Sequence, residues 1–208
     1  MHVYAFGSIC RGEIDVYSDI DLLAIVAKNS PNLDPNKFSI YSYQRLQQLW
    51  SAGNPFSWHL SLEAKLLYAC DGQDFLESLG EPNPYQDCKR DCEKFLSLAQ
   101  TACSRLRDRA PSQTFELATV FLAIRNFATC YALGQLGKCI FSRNSFWQLD
   151  DPTAPLTKTE YDVLERARIL STRGVGEPIT AAEAESVIEI SYQIESWMQA
   201  KFVEIPSV

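Results

Sequence analysis

The chain has 208 residues and a formal net charge of −7, and 46% of its residues are hydrophobic, 12% aromatic and 22% charged. These values are typical of a globular protein with one large domain or two small ones, and they exclude the disordered and fibrous classes. The acidic balance argues against a protein that binds long nucleic acids, because such proteins present a basic face.

The cysteines and the apolar runs indicate a reducing, aqueous environment. Seven cysteines occur without a CxxC pair, which favours free thiols. Cys88 and Cys92 could share a helix face and bind a metal, but with only two histidines in the chain core thiols are favoured. No signal peptide is evident at the start, and Arg125 interrupts the most apolar run before it reaches the roughly 20 residues of a membrane span. We expect a cytoplasmic protein that does not enter membranes.

Residues 1–82 predict an α/β domain with a small mixed sheet. Three strands are predicted from β-type apolar runs, at residues 2–6, 20–26 and 56–62. Leu46, Leu49 and Trp50 recur at helical spacing and predict a helix over residues 43–50. The order strand, strand, helix, strand over a short span is typical of an α/β unit.

The remainder of the chain, residues 83–208, predicts an all-α helical bundle. Two prolines in the segment 81–85 (EPNPY) end the first domain, because this segment cannot continue a helix. Four helices are predicted. Residues 86–109 have a broad apolar face, residues 113–139 are more apolar all round, as in a central bundle helix, and two later helices start with capping boxes at Thr157 and Thr180. These lengths fit a four-helix bundle.

The turn after the first strand and the start of the second form the most specific motif. Gly7 and Ser8 open a turn whose backbone N–H groups could bind phosphate oxygens, with the Ser8 hydroxyl as a further donor and Arg11 as a nearby cation. Asp19 and Asp21 are two residues apart, so on a strand both carboxylates point to one face. Two such carboxylates can share divalent cations, and their hard oxygen atoms select Mg²⁺ or Mn²⁺.

In this order and spacing, the motif resembles the minimal nucleotidyltransferases of the DNA polymerase β-like nucleotidyltransferase superfamily. The pattern GS-x(10)-D-x-D is matched in full, and the wider form FGS-x-x-RG-x(5)-SDIDLL is matched through Phe6, Arg11, Gly12 and Ser18 as well. The resemblance implies a small mixed sheet that binds a nucleoside triphosphate and two metal ions. It also implies that the Gly-Ser turn holds the β- and γ-phosphates and that Asp19 and Asp21 hold the metals.

The reaction that the resemblance implies is nucleotidyl transfer. An acceptor hydroxyl attacks the α-phosphorus of an NTP, with ATP as the first expectation, and pyrophosphate leaves. The acidic chain favours a small-molecule acceptor over a long nucleic acid, and a homodimer is left open. The alternative is a catalytically degenerate protein that retains the fold and binds a nucleotide or a partner.

One departure from the family pattern concerns a third carboxylate, which the resemblance implies on the next strand. The third predicted strand has no acid at its centre, and His59 is the best positional match. Alternation with period two places His59 on the same face as Glu63, about 13 Å further along. His59 is either a hydrogen-bonded structural residue or a catalytic one. We expect the catalytic role, because a histidine can serve as a metal ligand or general base near neutral pH.

The helical half carries one more candidate, Arg125, within an apolar helix. No histidine follows Arg125 at the spacing of helical ribonucleases that accompany minimal nucleotidyltransferases, so ribonuclease chemistry is not expected. Arg125 is either a buried anchor or a residue that lines the nucleotide site. We favour the second role, in which Arg125 contacts the nucleotide. Burial of an arginine without a charged partner costs free energy, and the acidic site offers such partners.

Overall fold

The structure, a computed structural model, describes residues 1–13, 20–27 and 33–206. The chain divides into two compact units, Met1–Gln86 and Asp87–Val208. The first contains a small mixed sheet with helices, and the second is helical. The predicted fold class, an α/β domain followed by a helical bundle, is confirmed.

A four-stranded sheet of order β3-β2-β1-β4 forms the frame of the first unit. Its strands are β1 at His2–Phe6, β2 at Asp21–Val26, β3 at Ser39–Ser42 and β4 at Lys65–Ala69. β1 runs antiparallel to both β2 and β4, whereas β2 runs parallel to β3. The first two predicted strands are therefore confirmed, and they pair directly with each other.

Helices cover one face of this sheet and close a hydrophobic core. The short helix α1 at Ser8–Arg11 buries no residue, and the helices that close the core are α2 at Tyr43–Ser51, α3 at Pro55–Glu63 and α4 at Phe75–Ser78. Alternate residues of β1 and β2 contribute Tyr4, Phe6, Leu23 and Ile25 to the core, and the helices contribute Leu46, Leu49, Trp50, Leu60 and Leu76. Because side chains alternate along a strand, Asp21 lies on the same face as Leu23 and Ile25, at the exposed start of β2.

The third predicted strand is wrong, because this region forms the helix α3. The side chain of Asn54 accepts a hydrogen bond from the Phe56 amide and Pro55 occupies the first turn, and both features favour a helix start. The buried residues Ser57 and Leu60 lie three apart, as on a helix face. His59 is therefore a helix residue, and one helical turn rather than a strand separates it from Glu63.

The second unit consists of helices, which are α5 at Cys88–Arg107, α6 at Gln113–Gln135, α7 at Lys158–Arg173, α8 at Ala181–Glu189 and α9 at Ser191–Val203. The predicted capping boxes at Thr157 and Thr180 are present at the starts of α7 and α8. The last predicted helix is divided in two at Ile190.

The central helix of this unit is α6, which packs against α5, α7 and α9. By length and composition alone α6 could cross a membrane, but 67% of its apolar window is buried within the protein, as in the core helix of a bundle. Cys88 and Cys92 are also buried, and their thiols donate to the backbone carbonyls of Cys130 and Phe127. These contacts are those of core thiols.

Candidate functional site

The turn between β1 and α1 begins at a buried glycine, Gly7, and continues into the half-buried residue Ser8. Gly7 has φ 78° and ψ −149°, a region that only glycine adopts readily. In the first helical turn the amide of Cys10 donates to the Gly7 carbonyl at 3.0 Å, so the amides of Ser8 and Ile9 precede the first helical hydrogen bond. The turn therefore presents backbone donors and the Ser8 hydroxyl beside a position without a side chain.

Asp21 lies directly against this turn. It pairs with Phe6 in the β1–β2 ladder, which places its carboxylate next to Gly7. A Cβ atom on Gly7 would lie 2.4 Å from Oδ2 of Asp21, so only glycine allows the two groups to approach this closely. The structure thus brings together Gly7, Ser8 and Asp21, three of the residues that the motif identified.

Of the two predicted metal ligands, Asp21 is the one that lies within the described residues. Its carboxylate is exposed and provides the hard oxygen atoms that Mg²⁺ prefers, so it fits the implied metal. Asp19, the other predicted ligand, lies outside the described residues, as does Ser18. Within residues 1–13, 20–27 and 33–206, no three His, Cys, Asp or Glu side chains form a group that could hold a metal. The paired carboxylates stay a prediction.

An open cleft of about 460 Å³ lies beside the start of β2. The described residues that line it are Ile20, Asp21, Leu22, Pro35, Asn36, Lys37, Phe38 and Ser39. Lys37 adds a cation to the same cleft as the Asp21 carboxylate, where it could offset phosphate charge. Sequence reasoning missed Lys37, because it lies in a connecting segment without a recognisable motif.

Arg11, at the end of α1, is bound by two carboxylates. Its Nη1 donates to Oε2 of Glu63 at 2.5 Å, and its Nε donates to Oε2 of Glu13 at 2.9 Å. Burial opposes the charged form of Arg11, but the hydrogen bond and charge of Glu13 and the charge of Glu63 outweigh it and raise the pKa of the guanidinium. Arg11 therefore stays charged beside the turn, and Glu63 is a part of the site that lies 52 residues away in sequence.

His59 contacts the same glutamate. Its Nε2 lies 2.9 Å from Oε2 of Glu63, and its ring packs edge-on against Phe6 and Phe56. Burial alone would raise the pKa of Glu63, but the hydrogen bond and charge of His59, together with Arg11, lower it. Glu63 is thus a carboxylate held by two basic side chains.

The structure removes the positional argument for a catalytic role of His59. The strand that follows β2 and pairs with it is β3, and none of its residues Ser39–Ser42 is acidic. His59 instead lies on α3, with Nε2 directed at Glu63. The notion that His59 replaces a strand carboxylate is therefore corrected, since the alternating pattern on which it depended belongs to a helix.

Residues 2–73 match the family described as the nucleotidyltransferase domain. Residues 2–73 are thus similar to nucleotidyltransferase domains, as the resemblance to the polymerase β-like superfamily predicted. The match includes the whole sheet, the Gly7–Ser8 turn, Asp21 and the segment up to Glu63, and it supports nucleotidyl transfer as the general chemistry of this domain. No curated protein matches the chain.

Arg125 lies outside the nucleotidyltransferase domain, on α6 of the second unit. Its Nη2 donates to the Phe141 carbonyl at 2.8 Å and its Nε to the Ser142 carbonyl at 3.4 Å. Both acceptor residues are buried, so their carbonyl groups depend on internal partners. These contacts favour the anchor role for Arg125, and its contact with a nucleotide stays a prediction.

We expect Arg125→Ala to lower the free energy of unfolding by about 1–3 kcal/mol, because two buried carbonyls lose a charged donor. Urea unfolding of the full chain measures this change. Arg90→Ala is the matched control, since Arg90 is 72% exposed in its ion pair with Asp87 and its loss should change stability by less than about 1 kcal/mol. Unchanged stability of Arg125→Ala together with weaker NTP binding would instead support the nucleotide-lining role.

Proposed function

We propose that this protein transfers a nucleoside monophosphate from an NTP, with ATP as the first candidate, to an acceptor hydroxyl. The acceptor oxygen forms a bond to the α-phosphorus, the bond to the bridging oxygen breaks, and pyrophosphate and a proton are released. The observation that carries this proposal is the contact of the Gly7 backbone with the Asp21 carboxylate. In this proposal the amides of the turn bind phosphate and Asp21 binds the metal, so both groups meet at one point, as phosphoryl-type chemistry requires.

In this proposal each residue of the turn has a distinct task. The amides after Gly7, the Ser8 hydroxyl and the Arg11 guanidinium bind the triphosphate. Asp21 and Asp19 would hold Mg²⁺ or Mn²⁺, which when bound neutralises phosphate charge and stabilises the leaving pyrophosphate. Orientation of the acceptor hydroxyl against the α-phosphorus supplies much of the rate.

In this proposal residues 1–82 are the catalytic part and residues 83–208 form the helical bundle. The net charge of −7 favours a small-molecule acceptor in the cytoplasm over a long nucleic acid, because a nucleic-acid backbone would be repelled.

A second candidate is a nucleotide-binding protein without turnover. This candidate is supported by the composition of β3, the strand beside β2. None of its four residues Ser39–Ser42 has a carboxylate that could activate an acceptor hydroxyl. This candidate shares the NTP-binding step with the first and differs only in the release of pyrophosphate.

Pyrophosphate release from ATP, with Mg²⁺ and a panel of hydroxyl acceptors, separates the two candidates. The proposed transferase should release pyrophosphate only when metal and acceptor are both present, and EDTA should abolish the release. Thermal unfolding with ATP and Mg²⁺ reports binding separately, since a ligand that binds the folded state raises Tm. A raised Tm without pyrophosphate release supports the second candidate. If ATP with Mg²⁺ neither raises Tm nor leads to pyrophosphate release, both candidates are contradicted.

A further inference from the structure

We propose that Glu63 is a positioning residue that, together with His59, fixes Arg11 for contact with the triphosphate. The proposal rests on the proposed function, because it assigns the Arg11 guanidinium to the NTP phosphates. It gives Glu63 and His59 a common task in place of the base role expected from the sequence. We refer to these three residues as the Arg11 cluster.

The geometry of the Arg11 cluster fixes the guanidinium on two sides. Glu63 accepts from Nη1 and Glu13 accepts from Nε, and the Arg11 and Glu63 side chains are only 20% and 13% exposed. An arginine has five N–H donors, and these two contacts use two of them. In the part of the chain that the structure describes, Arg11 makes no other hydrogen bond, so three donors can still bind phosphate oxygens.

His59 in turn fixes Glu63. An ionised carboxylate only accepts hydrogen bonds, and the cations around Glu63 favour its ionised form, so Nε2 of His59 must carry the shared proton. The His59 ring packs against Phe6, the last residue of β1, and against Phe56. Through His59 and Glu63, the packed end of β1 is thus connected to the Arg11 guanidinium beside the Gly7–Ser8 turn.

A fixed guanidinium binds a phosphate with less loss of side-chain entropy than a mobile one, which is the usual gain from preorganisation. Without Glu63, Arg11 would lose one of its two carboxylate partners and adopt other rotamers. The expected defect is therefore weaker binding of a triphosphate through Arg11, with the fold retained.

The test measures the Kd of the α,β-methylene analogue of ATP with Mg²⁺ by calorimetry on the full chain. Glu63→Gln should weaken binding roughly tenfold, as expected for one charge-assisted contact. In an Arg11→Ala background, Glu63→Gln should add less than about twofold, because residues that act through one another are not additive. Glu77→Gln, an exposed glutamate on α4 with the same charge change, should bind like the wild type.

His59 variants keep the proposal testable if Glu63→Gln does not fold. His59→Ala should weaken analogue binding, and His59→Gln, which restores an N–H donor, should recover part of the loss. AMP, which lacks the β- and γ-phosphates, should bind all folded variants within about twofold of the wild type, a contrast that general unfolding would not give.

Two results would overturn the proposal in different ways. If the wild type binds the analogue and the folded Glu63→Gln and His59→Ala variants bind it equally well, positioning by Glu63 is excluded while the proposed function stands. If Glu63→Gln weakens binding as much in the Arg11→Ala background as in the wild type, Glu63 does not act through Arg11. Absence of analogue binding by the wild type would overturn the proposed function itself.

Discussion

Asp21→Asn should reduce metal-dependent pyrophosphate release by at least about a hundredfold, since it removes a full negative charge from the point where the proposed function places phosphate and metal. The substitution keeps the size of the side chain, and Asp21 is exposed at the start of β2. The fold should therefore persist, and the increase in Tm caused by ATP with Mg²⁺ should disappear.

Release assays and thermal unfolding of the same preparation measure both effects. Glu77→Gln removes one negative charge from the exposed surface of α4 and should leave both readouts unchanged. Asp19→Asn should reproduce the loss, because Asp19 is the predicted second ligand. An Asp21→Asn protein that keeps its Mg²⁺-dependent Tm increase would refute the metal assignment.

Much of this site could be predicted because its residues lie close together in sequence. Gly7 directly follows β1 and Asp21 begins β2, and these two consecutive strands pair antiparallel, so a spacing pattern over 15 residues is enough to place them side by side. The capping boxes at Thr157 and Thr180 are equally local, and the structure contains both.

The misjudged region shows where periodicity alone fails. Residues 56–62 alternate between apolar and polar side chains as a strand would, yet Asn54 and Pro55 provide a cap and a first turn for a helix. The apolar residue Leu62 is 54% exposed on that helix, so the alternation does not report burial. Local start signals determined the structure here, in preference to the pattern.

The edge strands and the Arg11 cluster were beyond sequence reasoning for other reasons. β3 and β4 lie at the two edges of the sheet, where Ile40 and Leu67 are exposed and leave no clear inward pattern. The contact between Arg11 and Glu63 spans 52 residues and depends on how α3 packs against the end of β1. Such a contact follows from tertiary packing, which a single sequence does not specify.

Gly7→Ala should damage both stability and catalysis. Alanine at φ 78° and ψ −149° adopts a region that costs about 1–3 kcal/mol. Its Cβ would also lie 2.4 Å from Oδ2 of Asp21, so the carboxylate must move. A displacement of about 1 Å in a catalytic group can cost roughly a hundredfold in rate, and we expect a loss of that size in pyrophosphate release.

Gly12→Ala is the matched control for backbone strain. Gly12 has φ 74°, but a Cβ atom there would meet nothing within 4 Å, so this variant should lose only about 1–2 kcal/mol of stability and keep its activity.

The collision itself can be isolated in an Asp21→Ala background, where the carboxylate is absent and Gly7→Ala should cost less stability than in the wild type. Equal costs in both backgrounds, measured by urea unfolding, would show that the turn does not contact Asp21. A smaller cost without Asp21 would show that the Gly7 turn and the Asp21 carboxylate are in direct contact, which is the geometry that the proposed transfer requires.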